Sequence, residues 1–179
     1  NLELLEIRHG DGVYARNFLD SGNLDLIKAA VSMDVDNATL VNVLEVRSFV
    51  VPEMAYIAAQ KRTAADLDEL KQVIFHQDLT MLERDIQVHQ RIARATHNML
   101  CTIFLNFFNQ LFRKYGYLYF EDERNIEHSR TFHSEIFEIF SKNNDFRIII
   151  YFSKVTLVKI NHNPKTVEGF RVSRSTFNG

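Results

Sequence analysis

Apolar residues recur at helical spacing from about residue 24 to residue 141, and this pattern constrains the fold more than any other feature of the chain. Residues three and four positions apart share one face of a helix, so each segment can bury an apolar stripe against its neighbours. Only two prolines and six glycines, the strongest helix breakers, occur among the 179 residues. We therefore predict an all-α, antiparallel bundle of about six to seven helices.

The predicted helices are separated by recognisable caps and turns. Asn37 and Thr63 stand where a helix start needs a side-chain acceptor, and Asp66 completes a capping box with Thr63. Gly116 is expected to end one helix, and Pro52 to kink or restart another because it lacks a backbone donor. The final apolar run has a strand-like composition, but we predict a helix because it has no partner strand. The expected helices are 24–31, 37–58, 63–75, 79–97, 99–115, 122–141 and 146–160.

The first sixteen residues follow a different pattern. Two strand-like runs, 4–7 and 13–15, flank a loop whose glycines supply the backbone angles of a tight turn. A lone hairpin of this size is not stable by itself. We therefore expect it to be the end of a domain that begins upstream, as a chain starting at Asn1 without methionine also suggests. Residues 17–23 are read as a polar link to the helices.

Composition restricts the compartment and the class of protein. The single cysteine, Cys101, lies in an apolar run and cannot form an internal disulfide, which favours a reducing compartment. No apolar stretch has the length of a membrane span, so we expect a cytoplasmic protein. The net charge of -2 does not favour nucleic-acid binding by this part of the protein. Many of the fifteen phenylalanines fall between residues 104 and 152, which indicates a large core or a subunit interface.

Asp85 and His89 are the first candidate functional residues. They are four positions apart in a predicted helix, so both metal-competent side chains project from one face. His133, in a later predicted helix, is a candidate third ligand. An exposed, solvated Asp-x-x-x-His pair would look identical in sequence, so the spacing alone leaves both readings open.

Two stretches together resemble the FadR subfamily of GntR-type bacterial transcription regulators. Residues 6–14 look like the wing of its winged helix-turn-helix domain, and residues 44–59 are similar to the start of its all-helical FCD effector domain. The Asp85 and His89 pair and the later His133 continue that pattern. The resemblance implies a homodimeric regulator, not an enzyme, that binds operator DNA when complete. It also implies a wing at 1–16, a linker at 17–23, an FCD-like domain at 24–160 and a tail at 161–179.

The same resemblance implies a ligand set. Asp85, His89 and His133 correspond to three of the four metal ligands found in most FCD domains, and such ligands suit zinc, nickel or a similar divalent ion. The fourth position falls at or near Thr156, whose neutral hydroxyl is a poor ligand. Further positions implied by the family are two effector-binding residues, Arg47 and Asn98, and three wing residues that approach DNA, Arg8, His9 and Gly10.

Several alternatives stay open at this point. Arg47 lies in an apolar helical stripe, where it must either pair with a carboxylate of the protein or be held for an anionic effector. Glu53 is a possible partner only if the Pro52 kink turns it inward. The effector is a small carboxylate bound with the metal or, as in the fatty-acid-responsive branch, an acyl-CoA without a functional metal. A helical metal-dependent enzyme and a purely structural helical domain are the other hypotheses. His9, His76, His97, His128 and His162 are read as surface residues.

Overall fold

The computed structural model describes residues 4–32 and 37–142. These residues form a two-stranded hairpin and seven helices. The hairpin and six of the helices correspond to predicted elements, and the seventh is a short helix within the predicted linker. The chain divides into two compact units, Asn1–Leu40 and Val41–Gly179. The elements in chain order are β1 (Leu5–Arg8), β2 (Gly12–Ala15), α1 (Phe18–Ser21), α2 (Leu24–Ser32), α3 (Asn37–Lys61), α4 (Ala64–Ile74), α5 (Met81–Ala95), α6 (Met99–Phe120) and α7 (Glu123–Ser141).

The hairpin of the first unit has the register that its sequence suggests. β1 and β2 pair antiparallel, with Leu5 opposite Ala15 and Arg8 opposite Gly12. Gly10 stands in the connecting turn with φ +81°, a left-handed conformation that glycine adopts without steric cost. Every strand residue is exposed. The predicted polar link contains the short helix α1, which Asn17 caps by accepting from the Leu19 amide.

The helices of the second unit begin at side-chain caps. Thr63 and Asp66 form the predicted capping box at the start of α4. Thr80, Asn98 and Asp122 accept from backbone amides in the first turns of α5, α6 and α7. These acceptors satisfy donors that a helix start would otherwise leave unpaired, so the short connections define where each helix begins. α3 continues as one helix through the buried Pro52.

The second unit has a continuous apolar core. Its largest fully buried apolar side chains come from α5, α6 and α7: Ile92, Leu105, Phe132, Ile136 and Phe140. Smaller residues of α3, including Ala55 and Ala58, are also fully buried. Phe104, Phe107 and Phe137 are partly buried against this core. Much of the phenylalanine-rich segment therefore serves as core, one of the two roles that its composition indicated.

The prediction that Gly116 ends a helix is wrong, because α6 continues to Phe120. Gly116 is buried, and a Cβ atom at this position would lie 2.6 Å from Cδ1 of Leu82 on α5. The absence of a side chain at Gly116 therefore leaves room for the Leu82 side chain of α5. Sequence reasoning assigned the residue to a helix end because helices commonly end at glycine.

Some predictions fall outside the described residues. These are the predicted helix 146–160 with Thr156, and the tail 161–179 with His162. Within the described residues, none of the helices combines the length and apolar character needed to cross a membrane.

Candidate functional site

Helix α5 carries Asp85 and His89 on its buried face. Asp85 is 0% exposed and His89 is 4% exposed. The side chain of His89 stacks on Phe132 of α7, with ring centroids 5.9 Å apart. A charged residue in such a position requires compensating partners, since burial strongly disfavours an isolated carboxylate. The solvated-pair interpretation is therefore wrong for this pair.

His133 of α7 reaches the same carboxylate. Its Nε2 atom lies 3.2 Å from Oδ1 of Asp85, and both residues are buried. A carboxylate accepts hydrogen bonds, so the Nε2–H tautomer of His133 donates here. In the described part of the chain, the Nδ1 atom of His133 has no hydrogen-bond partner. The structure thus brings together the three residues that the sequence selected from two distant segments.

The geometry fits two metal ligands better than three. Two ligands of one ion, each about 2.1 Å from it, are separated by roughly 3.0–3.4 Å, and Asp85 and His133 have this spacing. To coordinate an ion, Nε2 of His133 would give up the proton that it donates to Asp85, and the neutral ring would carry its proton on Nδ1. Nδ1 of His89 lies 2.8 Å from the main-chain oxygen of Asp85, an outer contact typical of histidines that ligate through Nε2. The described residues nevertheless contain no ready-made group of three or more histidine, cysteine, aspartate or glutamate ligands. The donor chemistry suits a divalent ion, while a complete ligand set is not preformed.

Arg47 of α3 places a cation beside this cluster. It is 6% exposed, and its guanidinium carbon lies 5.4 Å from the ring centroid of Phe112. Burial lowers the pKa of Arg47, and the charges of Asp85 and Tyr119 partly oppose that shift. In the described residues, the Nε atom of Arg47 has no hydrogen-bond partner. Glu53 is exposed, so the carboxylate that acts on Arg47 is that of Asp85.

Sequence reasoning did not single out four buried residues with polar groups on α6 and α7. Tyr119 and Asn109 belong to α6, and Asn125 and Ser129 belong to α7. Burial and the neighbouring Asp85 charge raise the pKa of Tyr119, while contacts with Ser129 and Arg47 oppose the rise. The Nδ2 group of Asn125 donates to the main-chain oxygen of Tyr119 at 2.8 Å. The available signal was their spacing, because these polar residues share helical faces with core residues.

Other predicted site residues do not join the buried cluster. Asn98 is exposed and caps α6, so the structure gives it a local role at a helix start. Arg8, His9 and Gly10 lie in the exposed hairpin of the first unit, where Arg8 pairs with Glu6 at 3.1 Å and covers the Tyr14 ring. His9, His76, His97 and His128 are exposed, as predicted.

Comparison with known proteins identifies the helical unit. The sequence profile of the FCD domain matches residues 42–145, which is more than half of the chain. The chain belongs to the FCD family. That match includes the four residues of the buried cluster, and it confirms the family resemblance found in the sequence. The FCD domain therefore provides the framework on which Arg47, Asp85, His89 and His133 meet.

Named relatives agree with this assignment. The fatty acid metabolism regulator proteins of three Haemophilus influenzae strains are each 26% identical to the chain, over 78% of this chain and 60% of theirs. The FCD-containing chain thus spans about three fifths of the length of these curated relatives. A solved structure, Streptococcus agalactiae GntR, superposes with a TM-score of 0.60 and 19% identity, covering 88% of this chain and 75% of that one. The latter match confirms the predicted fold.

Proposed function

We propose that this FCD domain is the effector-binding part of a ligand-responsive, GntR/FadR-type transcription regulator. The named relatives are regulators and not enzymes, which supports this class over a metal-dependent enzyme. In the complete protein, the hairpin of β1 and β2 would act as the wing of a winged helix-turn-helix. Arg8, His9 and Gly10 would then approach the operator, and two copies would form a cytoplasmic homodimer.

The observation that carries this proposal is the buried cluster of Arg47, Asp85, His89 and His133. A helical bundle does not need such groups for stability, because apolar residues of similar volume usually pack there at no loss. A group of ionisable side chains buried together is therefore a candidate ligand-binding site. An arginine beside an aspartate–histidine pair suits a small carboxylate whose charge pairs with the guanidinium.

Asp85, His89 and His133 are the residues that would hold a divalent ion, with Thr156 as a weak fourth position. A bound ion would supply a coordination position for an oxygen atom of the effector. Arg47 would pair with the other oxygen of the effector carboxylate, and Asp85 would balance the positive charge of Arg47. The apolar surroundings exclude water and strengthen these interactions.

A matched pair of histidine variants of α7 tests the metal. His133 is 1% exposed, whereas His128 is exposed on the same helix. We expect the purified chain to retain zinc or nickel in native mass spectrometry, with His133→Ala losing it and His128→Ala keeping it. Equal metal content in the two variants would contradict the ligand set. The metal content of His89→Ala tests in the same way whether the second imidazole is a ligand.

A fatty acyl effector is the second candidate, because curated relatives that the chain matches are named as fatty acid metabolism regulator proteins. An acyl chain needs an apolar cavity, but Phe108, Phe132 and Phe140 are themselves buried in the core. The buried cluster around Asp85 is therefore the better candidate site. Thermal-shift assays with acetate, succinate and a long-chain acyl-CoA distinguish the candidates. A carboxylate shift that Arg47→Met removes would favour the first; a larger acyl-CoA shift insensitive to Arg47→Met would favour the second.

The regulatory part of the proposal requires the complete protein. We expect it to protect a DNA segment in footprinting, and the carboxylate to change the affinity for that segment. Arg8→Ala should weaken DNA binding without changing effector binding by the helical unit. Sustained catalytic turnover that His89→Ala abolishes would instead favour a metal-dependent enzyme.

A further inference from the structure

Asn109 is a buried polar residue to which the proposed chemistry assigns no role. It is 3% exposed, and its Nδ2 donor has no hydrogen-bond partner in the described residues. A buried amide in that state is costly, because it has lost its water contacts without gaining an acceptor. An acceptor in the neighbouring space, such as an oxygen atom of a ligand, would remove this cost.

The packing of α5 against α6 locates Asn109 along the site. Gly116 of α6 lies beside Leu82 of α5. Further along, Nε2 of Gln90 on α5 donates to Oδ1 of Asn106 on α6 at 3.3 Å. The residue numbers rise on one helix as they fall on the other, so the two helices are antiparallel. This register places Asp85 at the level of Phe112.

The same register places His89 at the level of Asn109, one turn further along α6. Asn109, Phe112, Gly116 and Tyr119 are spaced by three, four and three positions, so they share one stripe of α6, buried except at the partly exposed Phe112. Phe112 lies under the Arg47 guanidinium. Asn109 is three residues away, or about 4.5 Å along the helix axis.

We propose that Asn109 is a specificity-determining residue that donates to the far end of the anion held by Arg47. This inference rests on the proposed anion-binding function and adds its selectivity. The ligand class is a small carboxylate with a second oxygen acceptor, such as a hydroxyl or another carboxylate, about one helical turn from the first group. An anion with an apolar far end would leave the Asn109 donor unsatisfied.

Three four-carbon probes with different far ends test this selectivity: butyrate, 4-hydroxybutyrate and succinate. Isothermal titration of the full chain should give affinities for the latter two that exceed that for butyrate by about tenfold, the usual effect of one buried hydrogen bond. Asn109→Leu should remove this difference while leaving butyrate binding. Asn106→Leu, a control one turn away on α6, should keep the difference.

A second variant keeps the test decisive if the leucine variant fails to fold. Asn109→Asp has nearly the same shape but accepts where asparagine donates, so it should prefer 4-hydroxybutyrate over succinate. Equal affinities of the unsubstituted chain for all three probes, or unchanged selectivity in both Asn109 variants, would overturn the inference and leave anion binding intact. Binding of none of the probes would overturn the proposed small-carboxylate function as well.

Discussion

The hairpin and the helical unit are stabilised in different ways. All residues of β1 and β2 are exposed, including the apolar Leu5, Ile7 and Val13. The helical unit instead encloses a core in which residues such as Leu105 and Ile136 are almost fully buried. Local pairing and turn geometry thus define the hairpin, whereas burial of apolar surface stabilises the helical unit. Substitutions of the same kind should therefore have different effects in the two regions.

Matched leucine truncations should give the largest difference. Leu105 is 1% exposed in the helical unit and Leu5 is 63% exposed in the hairpin. We expect Leu105→Ala to lower the free energy of unfolding by about 3 to 5 kcal/mol, because it removes packing and leaves a cavity. Leu5→Ala should change it by less than about 0.5 kcal/mol. Denaturant titration measures both, and similar losses would mean that the hairpin contributes to a buried core.

Matched glycine substitutions should give an intermediate effect. Gly116→Ala places a Cβ atom 2.6 Å from Cδ1 of Leu82 and 3.3 Å from the Phe112 ring, so the Leu82 side chain must move. This overpacking, less the roughly 1 kcal/mol that alanine gains over glycine inside a helix, should leave a net cost of about 1 kcal/mol. At Gly10 there is open space, but φ of +81° should make alanine cost about 1 to 2 kcal/mol in the hairpin alone. Thermal unfolding should detect the effect of Gly116→Ala. The effect of Gly10→Ala should be detected only by amide hydrogen exchange of the hairpin. A Gly116→Ala chain stabilised by about 1 kcal/mol, the full gain in helix propensity, would show that the Leu82 side chain moves aside without cost.

The smallest expected effect concerns Asp66, whose carboxylate completes the capping box of α4. Partial burial would raise the pKa of Asp66, but hydrogen bonds from Thr63 and the contact with His97 outweigh this and lower it. A carboxyl with a lowered pKa stabilises the fold above its ordinary pKa, and the effect disappears as pH falls through the lowered value.

Asp66→Asn should therefore cost about 1 kcal/mol at pH 7 and progressively less below pH of about 4. Glu6→Gln, which alters the exposed Arg8–Glu6 pair of the hairpin, should have almost no effect at either pH. Urea titrations at several pH values provide the measurement. A cost for Asp66→Asn that is constant with pH would exclude the carboxylate charge as its cause.

Much of the fold was predictable because its signals are local. Thr63 and Asp66 formed the expected capping box, and Asp122 precedes α7 where the sequence indicated a boundary. The site was predictable in part, since four-residue spacing determines that Asp85 and His89 share a helix face. That His133 belongs with this pair was inferred from the family pattern, and the 3.2 Å distance between His133 and Asp85 comes from the packing of α5 against α7.

The sequence by itself determined the helical periodicity, the caps, the hairpin turn and the family to which the chain belongs. All of these depend on residues within a few positions of one another, or on a pattern shared with relatives. Only the tertiary structure decided that Gly116 lies inside α6, that Asp85 is the carboxylate acting on Arg47, and that the Asn109 donor is buried with no acceptor among residues 4–32 and 37–142. These features depend on which helix faces meet, and spacing along one helix does not specify its neighbour.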